Sequence, residues 1–240
     1  MKFIEENKAL QCSYNFWQVH NTEKGYPEHY PDEEVVRFLM RLRGNAKKNK
    51  QKLKSIKVLD LASGCGKNSI PIAELGFNLF CVDYSKPGLD YTKKRLKKLN
   101  LAAKFSCVDF IKNKLPFPDN FFDAIISIQV FDHIFLNSTS KLLEETSRVL
   151  KKKGKMVTSL MSKKTTKISR IGIPVKNNKD SYIVSAGNSA GEIHSFFNEK
   201  KMTSFLKKEY IIDNSFLSKK VFDKSKEVEE CKYFSLSNKS

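Results

Sequence analysis

Residues 55–85 constrain the fold more than any other stretch, because they read as strand, turn, helix and strand in direct succession. Residues 56–61 form a short apolar run rich in branched side chains, and residues 62–66 form a turn of small residues. A helical stretch follows at 69–75 and leads into a second apolar strand at 78–82. This order predicts buried parallel strands joined by a helix.

The turn after the first strand has the composition of a ligand-binding turn. Gly64 and Gly66 let the backbone approach a ligand closely and present amide groups at a helix N-terminus. Ser69 stands where a dinucleotide-binding turn has its third glycine. The acidic Asp60 beside the turn would repel a pyrophosphate, whereas it suits a ligand that carries an ammonium and a sulfonium group. The turn therefore favours a cationic ligand.

These residues carry a family resemblance. The run D-L-A-S-G-C-G at 60–66, followed by Asp83, resembles motifs I and II of class I S-adenosylmethionine-dependent methyltransferases. The resemblance implies that the glycine turn lies under the methionine part of the cofactor and that Asp83 binds both ribose hydroxyls. The first glycine of the usual motif is replaced here by Ala62, which is also small.

Further along the chain, two more strand ends match the family. A third strand at 103–108 ends at Asp109 and Phe110, which the resemblance assigns to the adenine amino group and the purine ring. A solvated loop acid is the alternative for Asp109. A fourth buried strand at 121–128 is followed by residues 129–134, where methyl group and acceptor should meet.

The resemblance implies a fold and a set of cofactor-binding residues. The fold is an α/β, Rossmann-like class I methyltransferase fold in one domain, residues 1–240. It has a mostly parallel seven-stranded sheet, helices on both faces and a terminal antiparallel hairpin. The expected cofactor-binding residues are Asp60, Ala62, Ser63, Gly64, Gly66, Asn68, Asp83, Tyr84, Ser85, Asp109, Phe110, Gln129 and Val130.

Two segments outside the motifs are expected to complete the site. Residues 1–54 are predicted to form a helical cap over the cofactor, with Trp17 and Tyr30 as candidate contacts and a packing role as the alternative for each. Regular signals fade over 162–192, so we expect a substrate loop or lid at 162–195. A helix is predicted over 193–208, and residues 210–212 and 228–236 are predicted to pair as the hairpin.

Methyl transfer requires alignment of the acceptor lone pair with the methyl carbon, and no covalent catalyst is necessary. A hydroxyl acceptor benefits from proton removal, for which His133 and His194 are the candidate bases, with Asp132 to orient or assist. A structural role is the alternative for each histidine.

Composition bounds the class of protein. The net charge of +18 suggests nucleic acid as a partner, but only six of the 44 basic residues are arginine, the side chain that phosphate recognition favours. The five cysteines are scattered without a C-x-x-C pair, which argues against disulfides and a zinc site, so no metal is expected. No long apolar run or export signal is present, which indicates the cytoplasm and no membrane insertion.

The sequence therefore predicts an enzyme that uses S-adenosyl-L-methionine, yields S-adenosyl-L-homocysteine, and methylates oxygen or nitrogen of a small-molecule acceptor. The segment from Gly191 onward resembles small bacterial methyltransferases, some of which accompany surface-carbohydrate genes. This resemblance implies a surface-carbohydrate precursor or another bacterial metabolite as the acceptor. A methyltransferase of RNA or other nucleic acid is one alternative, although the D/N-P-P-Y/F motif is absent after the fourth strand. A cofactor-binding module without catalysis is the other.

Overall fold

The computed structural model describes residues 3–22, 30–166, 172–222 and 227–239. In chain order its helices are α1 (Glu6–His20), α2 (Glu33–Lys48), α3 (Ser69–Glu74), α4 (Lys86–Lys98), α5 (Leu136–Val149) and α6 (Glu199–Glu209). Its strands are β1 (Lys57–Leu61), β2 (Asn78–Asp83), β3 (Lys104–Cys107), β4 (Phe122–Ser127), β5 (Leu150–Met161), β6 (Gly172–Val175), β7 (Asn178–Val184), β8 (Ile193–Ser195), β9 (Tyr210–Phe222) and β10 (Glu227–Asn238).

Seven of the strands form the main sheet, in the order β3-β2-β1-β4-β5-β10-β9. The first five run parallel, whereas β10 pairs antiparallel with both β5 and β9. The strand order reverses between β1 and β4, and such a reversal opens a crevice at the carboxyl ends of the strands. The predicted mostly parallel sheet with a terminal antiparallel hairpin is confirmed.

Helices cover both faces of this sheet because successive strand residues point to opposite sides. In β1, Val58 packs with the helices α2, α3 and α4, whereas its neighbour Leu59 packs with α5 and α6. Both side chains are fully buried, as are most residues of the parallel strands. The carboxyl ends of β1, β2 and β4 are therefore held on a rigid, closely packed core.

The segment predicted as an irregular lid contains a second sheet, so that part of the prediction is wrong. Strands β6, β7 and β8 pair antiparallel, and Ile183 and Ile193 bury their side chains against α1. The backbone of Ile4 exchanges hydrogen bonds with Pro174 and Lys176, which ties the start of the chain to β6. The three strands pair with one another and pack on α1, and these contacts stabilise strands that are too short to show a clear pattern in the sequence.

The predicted helix over 193–208 also begins too early. Asn198 is the N-cap of α6, where its side chain accepts a hydrogen bond of 2.7 Å from the backbone N–H of Lys201. Residues 193–195 lie before this cap and pair with β7 instead. Strand β5 starts at Leu150, which pairs with Phe122 of β4. Strand β9 extends past the predicted 210–212 to Phe222 and pairs with β10, with one shift of register at Ser235 and Leu236.

No helix in the described ranges combines the length and the apolar character that crossing a bilayer requires.

Candidate active site

A cavity of about 350 Å³ lies at the carboxyl ends of β1, β2 and β4, where the strand order reverses. Helix α1, the glycine turn, the loop after β4 and the small sheet close around it. Its lining comprises Trp17, His20, Asn21, Ala62, Ser63, Gly64, Cys65, Lys67, Asn68, Asp83, Tyr84, Phe110, Ile111, Ile128, Gln129, Val130, His133, Ile134, Met161, Val184, Ser189, Glu192, His194 and Glu229.

The two glycines of the turn have different surroundings. Gly64 lines the cavity with φ +51°, and a Cβ there would lie 3.2 Å from Oδ1 of Asn21. Gly66, at φ +82°, faces α4 instead, where a Cβ would lie 2.7 Å from Cγ2 of Thr92. The missing side chain of Gly66 makes room for helix packing, and its contact with the cofactor stays a prediction. Ala62 lines the cavity and also adopts a left-handed conformation, with φ +56°.

Asp83 closes β2 and joins the turn to the next helix. Its Oδ2 accepts a hydrogen bond of 2.8 Å from the N–H of Gly64, and its Oδ1 accepts one of 2.7 Å from the N–H of Ser85. Burial raises the pKa of this carboxyl to about 6, although these backbone donors act in the opposite direction. Each oxygen keeps a lone pair, so Asp83 can accept further hydrogen bonds from a ligand in the cavity.

Asp60 is buried below the turn and does not line the cavity. The hydroxyl of Ser69 donates a 2.5 Å hydrogen bond to its Oδ2. Burial is the main cause that raises its pKa, to about 7, and the nearby charge of Asp83 adds to the effect. The Asp60 carboxyl accepts from Ser69 at the start of α3, and its contact with the cofactor stays a prediction.

An aromatic wall lies beside Asp83. Tyr84 and Phe110 both line the cavity, with ring centroids 6.2 Å apart and planes inclined by 60°. Asp109 lies outside it: its Oδ1 accepts from the N–H groups of Ile111 and Lys112, and it pairs with the Lys112 side chain at 3.2 Å. The Asp109 carboxyl thus caps the following turn, and its role at the adenine stays a prediction.

Four other predicted cofactor residues line the cavity, and two do not. Ser63, Asn68, Gln129 and Val130 line it. Ser85 is the N-cap of α4, with its hydroxyl oxygen accepting from Gly88, and is fully buried away from the cavity. Trp17 lines the cavity, whereas Tyr30 is 92% exposed and outside the lining, so its cofactor contact stays a prediction.

The loop after β4 is held in a strained shape. Gln129 adopts φ +57°, and its backbone N–H donates a hydrogen bond of 2.8 Å to the hydroxyl of Ser159 on β5. This bond compensates for the left-handed conformation. It sets the direction in which the chain continues through Val130 to His133.

Two histidines lie next to each other on the cavity wall. The His133 and His194 rings lie 4.6 Å apart, inclined by 78°, and Trp17 contacts His133 edge-on at 5.1 Å. Nδ1 of His133 lies 2.9 Å from the carbonyl oxygen of Ile193, and Nε2 of His194 lies 2.8 Å from Oε2 of Glu192. The structure therefore brings both predicted histidines together through the small sheet.

Asp132 lies behind the histidines, not on the cavity wall. It is 1% exposed, and its Oδ2 lies 3.6 Å from Nε2 of His133. Within the described ranges neither of its oxygens has a hydrogen-bond partner. Burial raises the pKa of Asp132, while the two histidines act against that rise. Burial works against a charged His133, but Asp132, Glu192 and the Ile193 carbonyl outweigh it and raise the pKa of that imidazole.

Sequence reasoning missed Glu192. Burial works against its charge, but the hydrogen bond from His194 and the nearby His133 and His194 rings together outweigh burial and lower the pKa of Glu192. Glu192 and His194 are two residues apart, the spacing that puts side chains on one face of a strand. That spacing is the signal that would have found it, had β8 been recognised.

Comparison with known proteins agrees with this architecture. Residues 59–158 match the family model described as a methyltransferase domain. The ubiquinone biosynthesis O-methyltransferase of Pelagibacter ubique is 31% identical over 113 residues, which make up 46% of this chain and 44% of that protein. The demethylmenaquinone methyltransferase of Renibacterium salmoninarum is 34% identical over 110 residues, 45% of this chain and 43% of that protein.

A solved structure of a SAM-dependent methyltransferase from Methanosarcina mazei superposes with a TM-score of 0.65 at 18% identity, covering 76% of this chain and 92% of that chain. The present chain spans less than half the length of the two curated relatives. Fold and cavity together define a class I methyltransferase architecture. Residues 59–158 thus resemble the methyltransferase domain in sequence, and the fold resembles that of a SAM-dependent methyltransferase, in agreement with the predicted resemblance.

Proposed function

We propose that this chain transfers a methyl group from S-adenosyl-L-methionine to an oxygen or nitrogen of a small-molecule acceptor. The observation that carries the proposal is that one cavity is lined by two chemically different sets of residues, here called its two ends. One end has the buried carboxylate of Asp83 beside the rings of Tyr84 and Phe110, and the other has His133, His194 and Glu192.

The residues of the first end fit the cofactor. When bound, S-adenosyl-L-methionine supplies a methyl group on a positively charged sulfur. The free lone pairs of Asp83 suit the two ribose hydroxyls, and Tyr84 and Phe110 offer apolar surface to the adenine ring. Gly64 lets the backbone approach the methionine part without a side chain in the way.

The residues of the second end suit a polar acceptor. Methyl transfer forms a bond from the acceptor atom to the methyl carbon, breaks the carbon–sulfur bond with its electron pair going to sulfur, and releases a proton from a hydroxyl. His133, His194 and Glu192 offer nitrogen and oxygen atoms on the cavity wall that can bind and orient such a hydroxyl. Trp17 and Met161 supply apolar surface for the remainder of the acceptor.

The relatives support a small molecule as the acceptor, because they are named for ubiquinone biosynthesis and for demethylmenaquinone. A surface-carbohydrate precursor or another bacterial metabolite stays a prediction from sequence, as does a cytoplasmic location. The predicted role of residues 162–195 as a substrate lid becomes part of this proposal, since Glu192 and His194 come from that segment.

The test is incubation of the chain with methyl-labelled cofactor and either a metabolite extract or RNA. We expect labelled small molecules, and we expect His194→Ala to lower the labelling rate while S-adenosyl-L-homocysteine binding, measured by calorimetry, persists. A His20→Ala variant, which changes a histidine elsewhere on the cavity wall, measures the effect of the cavity shape alone.

RNA is the second candidate acceptor because the net charge is +18. Labelled RNA with a steep salt dependence of binding would replace the small-molecule proposal by this one. Intact cofactor binding with no labelled product in either pool would favour a binding module without catalysis.

A further inference from the structure

Three side chains of the types that bind metals converge at the acceptor end of the cavity. His133 comes from the loop after β4, and Glu192 and His194 come from β8 and the residue before it. Their ligand atoms all lie within 4.8 Å of one another. We propose that His133, His194 and Glu192 bind one divalent cation of the zinc type, and that this cation contacts the acceptor oxygen. The second part rests on the proposed function, whereas the binding of the cation does not.

The hydrogen bonds around His133 prepare it as a ligand. A carbonyl oxygen only accepts hydrogen bonds, so Nδ1 of His133 must carry the proton that it shares with Ile193 at 2.9 Å. In the neutral ring the lone pair is then on Nε2. Metal-binding histidines are oriented in this way, with the other ring nitrogen donating to a carbonyl or carboxylate.

The charges near the cluster call for a cation. Asp132 and Glu192 are both buried, and in the described part of the chain their ion-pair partners are histidines, with no lysine or arginine. A cation bound at the cluster would lie beside both carboxyl groups, and its positive charge would offset the cost of burying them away from water.

Two unpartnered polar groups support the same conclusion independently. Both oxygens of Asp132 and Nδ1 of His194 are buried without a hydrogen-bond partner among the residues that the structure describes. Asp132 is next to His133 in sequence and 3.6 Å from its Nε2. A proton relay that used only Glu192 and His194 would give the Asp132 carboxylate no role. A cation bound at Nε2 of His133 would lie beside that carboxylate.

The donor set also indicates the metal and its chemistry. Two histidines with one glutamate form a zinc site of the catalytic kind, which keeps a coordination position open. Ligand atoms bound to zinc stand roughly 3.5 Å apart, so the present cluster would contract by about 1 Å on filling. The open position faces the cavity because all three ligands line it. A hydroxyl that contacts the cation has a lowered pKa, and its proton is released to solvent before oxygen attacks the methyl carbon.

The sequence predicted no metal site, because its cysteines are scattered. The proposed ligands contain no cysteine, and two of them come from strand β8 and the residue before it, a strand that the sequence did not reveal. The inference therefore depends on the fold, which brings residues from two distant segments to one point.

The test is metal binding by the full chain after treatment with a chelator. We expect calorimetry to show one Zn²⁺ per chain, and we expect Co²⁺ to bind at the same site with a ligand-field absorption and no thiolate charge-transfer band. The second readout matters because five free cysteines offer other metal sites. Glu192→Gln should weaken Zn²⁺ binding by at least about tenfold, since it removes a charged ligand.

Matched variants separate the cluster from its surroundings. His20→Ala should leave Zn²⁺ affinity unchanged, and S-adenosyl-L-homocysteine should still bind to every variant, which shows that each one is folded. Absence of stoichiometric binding in the unaltered chain, or equal losses in Glu192→Gln and His20→Ala, would overturn the metal site. Methylation that persists in full after metal removal would overturn the cation's role and leave the proposed function standing. Zn²⁺ binding without any labelled product would overturn the proposed function and leave the metal site standing.

Discussion

Oδ2 of Asp83 accepts a 2.8 Å hydrogen bond from the backbone N–H of Gly64, so the end of β2 holds the turn that follows β1. The other oxygen, Oδ1, holds the start of α4 through the N–H of Ser85. One carboxylate thus fixes two chain segments on either side of the cavity. Changes at Asp83 should affect ligand binding through its remaining lone pairs and through the position of Gly64.

Asp83→Asn should weaken binding of S-adenosyl-L-homocysteine by about 10- to 100-fold, because charge-assisted hydrogen bonds contribute roughly 1.5–3 kcal/mol. Calorimetry measures the affinity. Asp109→Asn is the matched control, since Asp109 also follows a strand but lies outside the cavity. An equal loss in the control would show that Asp109 holds the cofactor and that Asp83 has no special role.

Cofactor affinity should depend on pH through Asp83. Burial raises the pKa of this carboxyl to about 6, and only the ionised form accepts a hydrogen bond at all its lone pairs. Affinity should therefore rise as pH increases through about 6 and level off above it. Calorimetric titrations from pH 5 to 8 follow this change, and Asp83→Asn should remove it. A flat profile in the unaltered chain would contradict the assignment.

Asp60 should make the ligand-free protein less stable as pH rises. Its folded-state pKa of about 7 lies above the ordinary carboxyl value, because burial disfavours the charge. Between pH 4 and 7 the folded state therefore holds a proton that the unfolded chain has lost, and the free energy of unfolding falls by roughly 2–4 kcal/mol over that range. Denaturant titrations at several pH values measure it.

Asp60→Asn should make this fall smaller, since asparagine stays neutral and still accepts from Ser69. The remaining slope should come from Asp83, because burial raises its pKa to about 6. Asp90→Asn, which changes an exposed acid on α4, should retain the full slope. A slope in Asp60→Asn as steep as in the unaltered chain would assign the effect to other groups.

Trp17 should report cofactor binding by its fluorescence. It is the single tryptophan of the chain, it lines the cavity, and its ring contacts His133 edge-on at 5.1 Å. Filling the cavity replaces water around the indole, so its emission should shift on addition of S-adenosyl-L-homocysteine. Trp17→Phe should remove the signal while calorimetry still detects binding. Unchanged emission at saturating ligand would show that the ligand binds away from α1.

Ala62→Gly should stabilise the fold. Ala62 has φ +56°, a left-handed conformation that an L-residue adopts at a cost of about 1–2 kcal/mol, and glycine would remove this strain from the folded state. Glycine also gives the unfolded chain more conformational freedom, which offsets part of that stabilisation. The net increase in the free energy of unfolding should be about 0.5–1 kcal/mol by chemical denaturation.

The same substitution in a helix gives the control for that prediction. Ala46 lies in the last turn of α2, where glycine should lower the free energy of unfolding by about 1 kcal/mol. A destabilised Ala62→Gly protein would mean that the methyl group of Ala62 makes contacts worth more than the strain.

The donor side of the cavity could be predicted from sequence because its determinants are local. Strand β1, the turn to Gly66 and strand β2 follow one another directly, and Asp83 stands where an apolar strand stops. Finer roles could not be assigned in this way. Whether Gly66 faces the ligand or Thr92, and whether Asp109 points into the cavity, depends on backbone direction within one turn.

The acceptor side could not be predicted because it depends on contacts between distant segments. Strands β6 to β8 are short, and they are stabilised by packing on α1 and by pairing with one another. His133 and His194 were recognised as suitable residue types, but their contact and the presence of Glu192 follow from the small sheet.

The cavity wall has one part inside the stretch that matches the methyltransferase domain and one part outside it, which includes the small sheet. Residues 59–158 supply the glycine turn, Asp83, Phe110 and His133, whereas α1 and the strands around Glu192 lie outside that stretch. A lineage could therefore exchange or rebuild the outer part and acquire a new acceptor while its methyl-donor side stays as it is. Grafting residues 172–195 between relatives would be the direct laboratory equivalent of that exchange.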